Sequence, residues 1–369
     1  MNVLICGASF AGLSSAFWLR ELGHTVTVVE VAPGLRTGGT AVDIKGATVA
    51  LVKRMGLLDA IAANRLSLKR WDLVNEAGVT ERSMVIRADG QPPSDTEFEV
   101  ERNVLLALLF AKVKDRAEFV FGDTVTSLTE RASGIDVTFK ESSPRTFDLV
   151  LGCDGMHSTV RKLWFGDEAR FTHFLEQYFS ITIVEKLLIE RDTAQLFNVP
   201  GKAVMLNAYK NKTDIILGFV SQTRLPYDHR DEAAQRALIT AQFANVGWRT
   251  SELLREIAAS SSFYFDQLAQ IRMPSWSRGR VALVGDAGYC ASPAAGMGGS
   301  LAIDGAGALG DAMRAHGADF QSAFAAYDAS LRPFVEQVQA EAVRTGLESL
   351  VPRTEEAIRA RNSRTDAEF

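Results

Sequence analysis

The stretch "MNVLICGASFAGLSSAFWLRELGHTVTVVE" (residues 1–30) decides the fold. "NVLIC" is short and apolar, suited to a strand buried on both faces. "GASFAG" (7–12) follows, with Gly7 and Gly12 at the outer positions of G-x-G-x-x-G and Ser9 at the middle one. Leu13, Ala16, Phe17, Leu19 and Arg20 then recur at helical spacing, and Gly23 falls where that helix would end. "TVTVVE" reads as a second strand closing on Glu30. The whole is a strand–helix–strand unit of about 30 residues, with its acidic residue roughly 20 residues past the glycines. Gly7 permits the tight turn and Gly12 the close approach of helix to strand. Ser9 is small enough to keep the backbone near a pyrophosphate, and Phe10 and Ala11 complete the loop. A phosphate placed there gains from the free N–H groups of a helix start. Glu30 suits a ribose 2′-hydroxyl and disfavours a 2′-phosphate, which leaves FAD or NAD as the dinucleotide held at this loop.

The rest of the chain bounds the possibilities. With 369 residues, 47% hydrophobic and 23% charged, it is long enough for two domains around a sizeable core. A net charge of -5 without a basic stripe argues against nucleic acid as a partner. No apolar run of membrane-spanning length occurs, and the N-terminus reads as a strand rather than a signal peptide, so no membrane partner is expected. Cys6, Cys153 and Cys290 are widely spaced and odd in number, which suits reduced, buried thiols in a cytoplasmic protein. The five histidines, His24, His157, His173, His229 and His316, form no metal-ligand spacing, and no metal is expected. His157 alone lies near a candidate motif, and it reads as a surface residue.

Two further motifs select among dinucleotides. "DLVLGCDGMHSTVRK" ends a strand, turns at Asp154 and Gly155, and starts a helix at Ser158 and Arg161. "GRVALVGDAGYCASPAAGMGGS" ends another buried strand at Gly285 and Asp286, then runs through Pro293, Gly296, Gly298 and Gly299 into an apolar helix from about Ser300. Asp286 at a strand end can accept a hydrogen bond from a ribityl chain. Glycines 296–299 let backbone approach a flat ring, and the helix start aims its positive end there.

With these motifs in order, the sequence resembles the class A flavoprotein aromatic monooxygenases of the para-hydroxybenzoate hydroxylase type. Within them it is similar to the short tetracycline-inactivating FAD monooxygenases. The resemblance spans roughly residues 1 to 335. "ERNVLLALL" adds a weaker match, in which Arg102 resembles an arginine that opens a helix beside the flavin. The resemblance implies FAD as cofactor, with Gly7, Ser9, Phe10, Ala11, Gly12, Glu30, Val31, Arg36, Arg102, Asp154, Gly155, Gly285, Asp286, Pro293, Gly296, Gly298, Gly299 and Ser300 around it. It implies NADPH or NADH as a transient reductant with no fingerprint of its own. It also implies O2 and a small electron-rich aromatic or polyketide-like substrate, hydroxylated through a flavin C4a-hydroperoxide. In such enzymes the flavin carries the chemistry, so no catalytic side chain is assigned. The departures are Val31 where the family has a basic residue, with Arg36 as substitute, Tyr289 and Ser292 in the second glycine motif, and Ser300 for an asparagine. Two other readings stay open: a flavin-dependent dehydrogenase or reductase on the same fold, and a non-catalytic flavin- or ligand-binding protein.

The expected fold is α/β: a Rossmann-like FAD-binding domain, an interleaved antiparallel β-sheet substrate domain, and a C-terminal helix. The cofactor domain takes 1–72, 97–172 and 274–331, the substrate domain 73–96 and 173–273, and the C-terminal helix and tail 332–369. "LVNEAGVTERSMVI" reads as a hairpin turning at Ala77-Gly78, and residues 194–222 read as strands joined at Pro200-Gly201 and Asn211-Lys212. Phe197, Tyr209 and Phe219 are the aromatics of that sheet proposed to line a substrate pocket. A polar tail after about Arg359 reads as disordered. The assembly expected is a monomer or homodimer.

Overall fold

The computed structural model describes residues 1–36, 38–88, 90–228 and 230–363. Its first layer is a six-stranded sheet ordered Ser277–Arg278, Val281–Leu283, Leu149–Gly152, Asn2–Cys6, Thr25–Glu30, Glu118–Phe121. Every pair in it is parallel except the first. The opening strand is central, with Ile5 level with Leu151 on one side and Val28 on the other. Val3, Leu4 and Ile5 are completely buried, which explains why the strand is apolar at every position rather than at alternate ones.

Three helices close on this sheet around the fingerprint: Phe10–Glu21, Arg102–Val113 and Gly298–His316. Contact between the first and third is tight because both carry small residues. A Cβ on Gly310 would come within 2.7 Å of Trp18 Cβ. The Gly298–His316 helix also leans on the long helix Phe320–Glu341. That helix runs through a π turn, Ala342–Gly346, into Leu347–Leu350. A final helix, Glu355–Asn362, occupies part of the tail expected to be disordered; its N-cap Thr354 accepts a hydrogen bond from the Ala357 N–H and its first turn carries Glu355 and Glu356, a complete helix-start signal in the sequence.

The second layer is a seven-stranded sheet ordered Tyr264–Ile271, Thr172–Val184, Lys212–Val220, Lys202–Tyr209, Thr193–Val199, Arg70–Val74, Thr80–Val85. The hairpin turning at Ala77-Gly78 forms as expected and joins this same sheet, starting at Arg70. The joint between Tyr209 and Lys212 falls at Lys210-Asn211, one residue earlier than the sequence suggests, with Lys210 at φ 50. Thr193–Val199 and Arg70–Val74 pair in parallel, so the sheet is mixed rather than purely antiparallel. One face of it is covered by helices Glu232–Phe243 and Thr250–Ala259, which bury Tyr178, Phe197, Phe219 and Phe265 against Ile239, Phe243 and Leu253. The opposite face looks toward the first layer.

Candidate functional site

The fingerprint glycines are where backbone meets backbone. A Cβ on Gly7, at φ +107, would sit 2.4 Å from the Cys153 carbonyl oxygen, and one on Gly12 would sit 1.8 Å from the Gly7 oxygen. Only hydrogen fits at either position. The loop therefore presses on the strand end that carries Asp154. Ser9 is the N-cap of Phe10–Glu21, yet its hydroxyl caps no N–H of its own helix; it accepts instead from Arg102 Nη2 at 3.2 Å. The first-turn N–H groups of that helix are left for another acceptor.

Glu30 stands at the end of its strand, 8% exposed. Its carboxylate accepts from the Ala8 N–H at 2.8 Å and the Ala32 N–H at 3.0 Å. Arg36 Nε, in the loop that follows, lies 3.8 Å from it. Val31 itself is 55% exposed and turns outward. Arg102 starts its own helix and reaches across the cleft to the Arg36 and Gly38 carbonyls, both at 3.3 Å, while its guanidinium sits 5.3 Å from the Phe10 ring centre. Gly39, at φ +88, admits it: a Cβ there would be 2.7 Å from Arg102 Cδ.

The other two motifs interlock. Asp154 accepts from the Ser158 hydroxyl and from the Val160 N–H, which closes the start of helix Thr159–Phe165. Gly155, at φ 81, makes the turn between them. Arg161 is fully buried and donates to the Ala287 carbonyl at 2.8 Å, joining this segment to Asp286 and its short helix. The Asp286 carboxyl is pushed up by burial and pulled back by the Cys290 thiol, Arg102 and Arg161. Gly285, at φ 70, has no room for a side chain beside Ala11 and Ala302. Pro293 opens a short 3-10 turn that ends at Gly296, and helix Gly298–His316 begins on Met297 without a side-chain cap. A Cβ on Gly299 would touch Val42 and Phe10, so the two glycine motifs meet edge to edge.

Several expectations need correction. Ser300 is buried and its hydroxyl donates to the Asp43 carbonyl at 2.8 Å, which fixes strand Val42–Lys45 instead of facing the cleft. Tyr289 also points inward. Its hydroxyl accepts from Tyr327 at 3.0 Å and lies 1.7 Å from where a Gly305 Cβ would be, so the phenol occupies a notch in the neighbouring helix. Phe197 and Phe219, 3% and 1% exposed, lie on the helix-covered face of the sheet and line no cleft. Tyr209 is on the cleft side, but its hydroxyl is spent on Asp214 at 2.9 Å. His157 is not a free surface residue: its ring spans Glu168 at 3.1 Å and Asp266 at 3.1 Å. Burial works against its charged form, but those two carboxylates prevail and push it up to about 9.

Sequence reading missed Thr40, Asp214, Tyr264 and Asp266. Thr40 donates to the buried Asp214 carboxylate at 2.7 Å, tying the first layer to the sheet. Burial pushes that carboxyl up to about 6, against the bonds from Thr40 and Tyr209. Asp266 gathers His157, the Tyr227 hydroxyl at 2.7 Å, the Tyr264 hydroxyl at 3.0 Å and the Gln267 N–H at 2.8 Å. Strand alternation could have put Tyr264 and Asp266 on one face; nothing local says which face is open. The three cysteines are free and buried, as expected. Among the described residues, which exclude His229, no cluster could hold a metal ion, and no helix is long and apolar enough to cross a membrane.

Two uncapped helix starts, a glycine cradle and an acidic strand end, facing a mixed sheet, define a dinucleotide-binding flavoprotein. The comparisons agree. The FAD binding domain family matches residues 1–342. A flavin-dependent monooxygenase of Legionella longbeachae is 31% identical over 344 residues, covering 92% of this chain and 87% of its own length. An uncharacterised protein of Mycobacterium tuberculosis strain H37Rv is 39% identical over 343 residues, covering 92% and 91%. The crystal structure of tetracycline destructase Tet(51) superposes with a TM-score of 0.88 at 32% identity, covering 100% of this chain and 96% of that one. The chain belongs to the FAD-binding-domain family and, within it, to the flavin-dependent monooxygenases.

Proposed function

We propose that this chain uses NADPH or NADH and O2 to hydroxylate an electron-rich aromatic or polyketide-like small molecule. The observation that carries the reading is the fingerprint side of the first layer, which offers two helix starts without side-chain caps, at Ser9 and Met297, and is tied to the mixed sheet by the Thr40 bond to Asp214. When bound, FAD supplies the hydride acceptor and the site of dioxygen activation. The protein's part is to bind, orient and exclude water. In this reading Glu30, with Arg36 beside it, holds the adenosine ribose. The N–H groups that follow Ser9 hold the pyrophosphate, Asp286 the ribityl chain, and Gly296 to Gly299 the edge of the ring. Arg102, held by the Gly38 carbonyl and the Ser9 hydroxyl, would meet the ring or its linker. Residues 1–72, 97–172 and 274–331 serve the cofactor, and 73–96 with 173–273 serve the substrate. Free buried thiols support a cytoplasmic protein.

The likeness to a tetracycline destructase makes tetracyclines the first polyketide-like compounds to try. A true substrate should speed NADPH or NADH oxidation and leave a product one oxygen atom heavier. With isotope-labelled O2 that atom carries the label; with labelled water it does not. A dehydrogenated product with no added oxygen would overturn the reading in favour of hydride transfer alone.

A further inference from the structure

Between the short helix of Asp286 and the helix that starts at Gly298, the chain makes a buried passage, Cys290–Ser292, and then the 3-10 turn Pro293–Ala295. Ser292 stands at φ 82 and ψ 147, beside a region that only glycine enters freely. A serine keeps such a conformation only where the backbone around it is fixed. Two buried glutamines fix it. Gln270, on strand Tyr264–Ile271, donates through Nε2 to the Ala291 carbonyl at 3.2 Å and to the Gln339 carbonyl at 2.7 Å. Gln339, on helix Phe320–Glu341, donates through Nε2 to the Cys290 carbonyl at 3.1 Å and the Ile271 carbonyl at 2.9 Å. The Ile271 N–H adds a bond to the same Cys290 carbonyl at 3.0 Å.

Neither amide can turn round. Arg272, which only donates, gives Nε at 3.1 Å and Nη2 at 2.6 Å to Gln270 Oε1, so the Nε2 end is the one left for the loop. Gln339 faces two carbonyls, which only its Nε2 can serve. The Ala291 carbonyl belongs to a residue 1% exposed and has no other donor among the described residues, so Gln270 is its sole partner there. Farther along, the C-terminal segment backs the loop again. A Cβ on Gly346, in the π turn, would sit 2.2 Å from the Ala294 carbonyl oxygen. The passage is pinned from a strand of the mixed sheet and from the C-terminal helix, and neither carries a residue of the three cofactor motifs.

We infer that Gln270 and Gln339 are positioning residues for the flavin. They hold Cys290–Ser292 in its strained form and so place the Gly296–Gly299 loop and the uncapped helix start at Met297. This rests on the reading above that gives that loop to the edge of the ring. A loop already in its bound form needs no ordering when the ligand arrives, and that saving appears as affinity. In the same reading the adenosine and pyrophosphate belong to Glu30 and the N–H groups after Ser9, which the two glutamines do not touch. The clasp therefore acts on the flavin half of FAD and spares the adenosine diphosphate half.

The test compares FAD with ADP, which carries the adenosine and pyrophosphate alone, as ligands of the full-length chain freed of flavin, with dissociation constants from calorimetry. The wild type should bind FAD more tightly than ADP. Gln339→Leu should weaken FAD by about tenfold, the scale of one or two lost hydrogen bonds, and leave ADP within about twofold. Gln270→Leu should do the same, and it decides the matter if Gln339→Leu does not fold. Ser292→Gly takes φ 82 without strain, so added to Gln339→Leu it should return most of the lost FAD affinity, while alone it changes little. Unchanged FAD affinity in both glutamine variants, equal losses of FAD and ADP, or no recovery with Ser292→Gly would overturn the inference. Equal affinity of the wild type for FAD and ADP would overturn it together with the loop's place at the ring. The labelled-dioxygen experiment is independent of these outcomes: a chain that inserts oxygen but holds FAD as well without either glutamine would lose this inference and keep the hydroxylase reading.

Discussion

Glu30 shows how one carboxylate can serve the fold and the ligand together. Its two oxygens already hold the Ala8 and Ala32 N–H groups, so the acidic end of the strand shapes the loop before any dinucleotide arrives. Charge-assisted bonds of this kind are worth roughly 1.5–3 kcal/mol each when the partner is a ligand hydroxyl. Glu30→Ala should weaken FAD binding by about that amount, and the purified variant should be paler and need added FAD. An unchanged flavin dissociation constant would remove Glu30 from the site. The departures at Tyr289 and Ser300 have a different lesson. Both side chains are turned into the protein, where Tyr289 meets Tyr327 and Ser300 meets the Asp43 carbonyl. They alter packing behind the cleft and leave its polar surface alone, which weakens the reading of the chain as a non-catalytic binder.

Among the elements, the strand–loop–helix at the N-terminus was the most legible and the seven-stranded sheet the least. The first is decided by neighbours in sequence: Gly7, Gly12 and Glu30 lie within one unit, and the contacts that demand glycine are made inside it or to the adjacent strand end. Gly12→Ala tests that close approach. Its methyl group would overlap the Gly7 carbonyl, so the helix must shift or the loop must open, and either displaces the N–H groups aimed at a phosphate. The variant should melt lower by several degrees, as a loss of about 1–3 kcal/mol would produce, and should retain little FAD; a flavin-loaded variant with wild-type melting would show that the helix has slack. The sheet could not be read this way. Period-two alternation shows that Phe197 and Phe219 share a face with Leu217 and Val204, but not that two helices more than ten residues away cover it. The parallel pairing of Thr193–Val199 with Arg70–Val74 joins segments with about 120 residues between them, and no local pattern encodes that distance.

At the scale of the whole molecule, the two layers are held together by side chains that titrate. Thr40 donates to Asp214 on one flank, and His157, carried by the segment that follows Asp154, bridges to Asp266 of the sheet on the other. Glu168 holds the second nitrogen of that imidazole, and the Tyr227 and Tyr264 hydroxyls complete the Asp266 carboxylate. The imidazole is 29% exposed, so solvent screens the pair only in part. Its folded pKa, about 9, lies above the ordinary value of 6.5. A group raised in this way binds its proton more tightly when folded. Its stabilisation is therefore complete below about pH 6.5, declines above it, and is gone once the pH passes about 9. At most about 3 kcal/mol is at stake, shared with Asp266 and Glu168, whose ionisation is coupled to it. Asp214 and Glu99, pushed up to about 6 and about 7 chiefly by burial, also lose stability with rising pH, but in a lower window that begins at the ordinary carboxylate values. Subtraction separates the two. Melting temperatures of the wild type and of His157→Gln, measured from pH 5 to pH 10, should differ most at low pH and converge as the pH approaches 9 to 10. The glutamine keeps a neutral donor near Asp266, so the difference reports the charge rather than the loss of a contact. A gap between the two curves that stays constant across the whole range would mean that His157 joins the layers as a neutral ring.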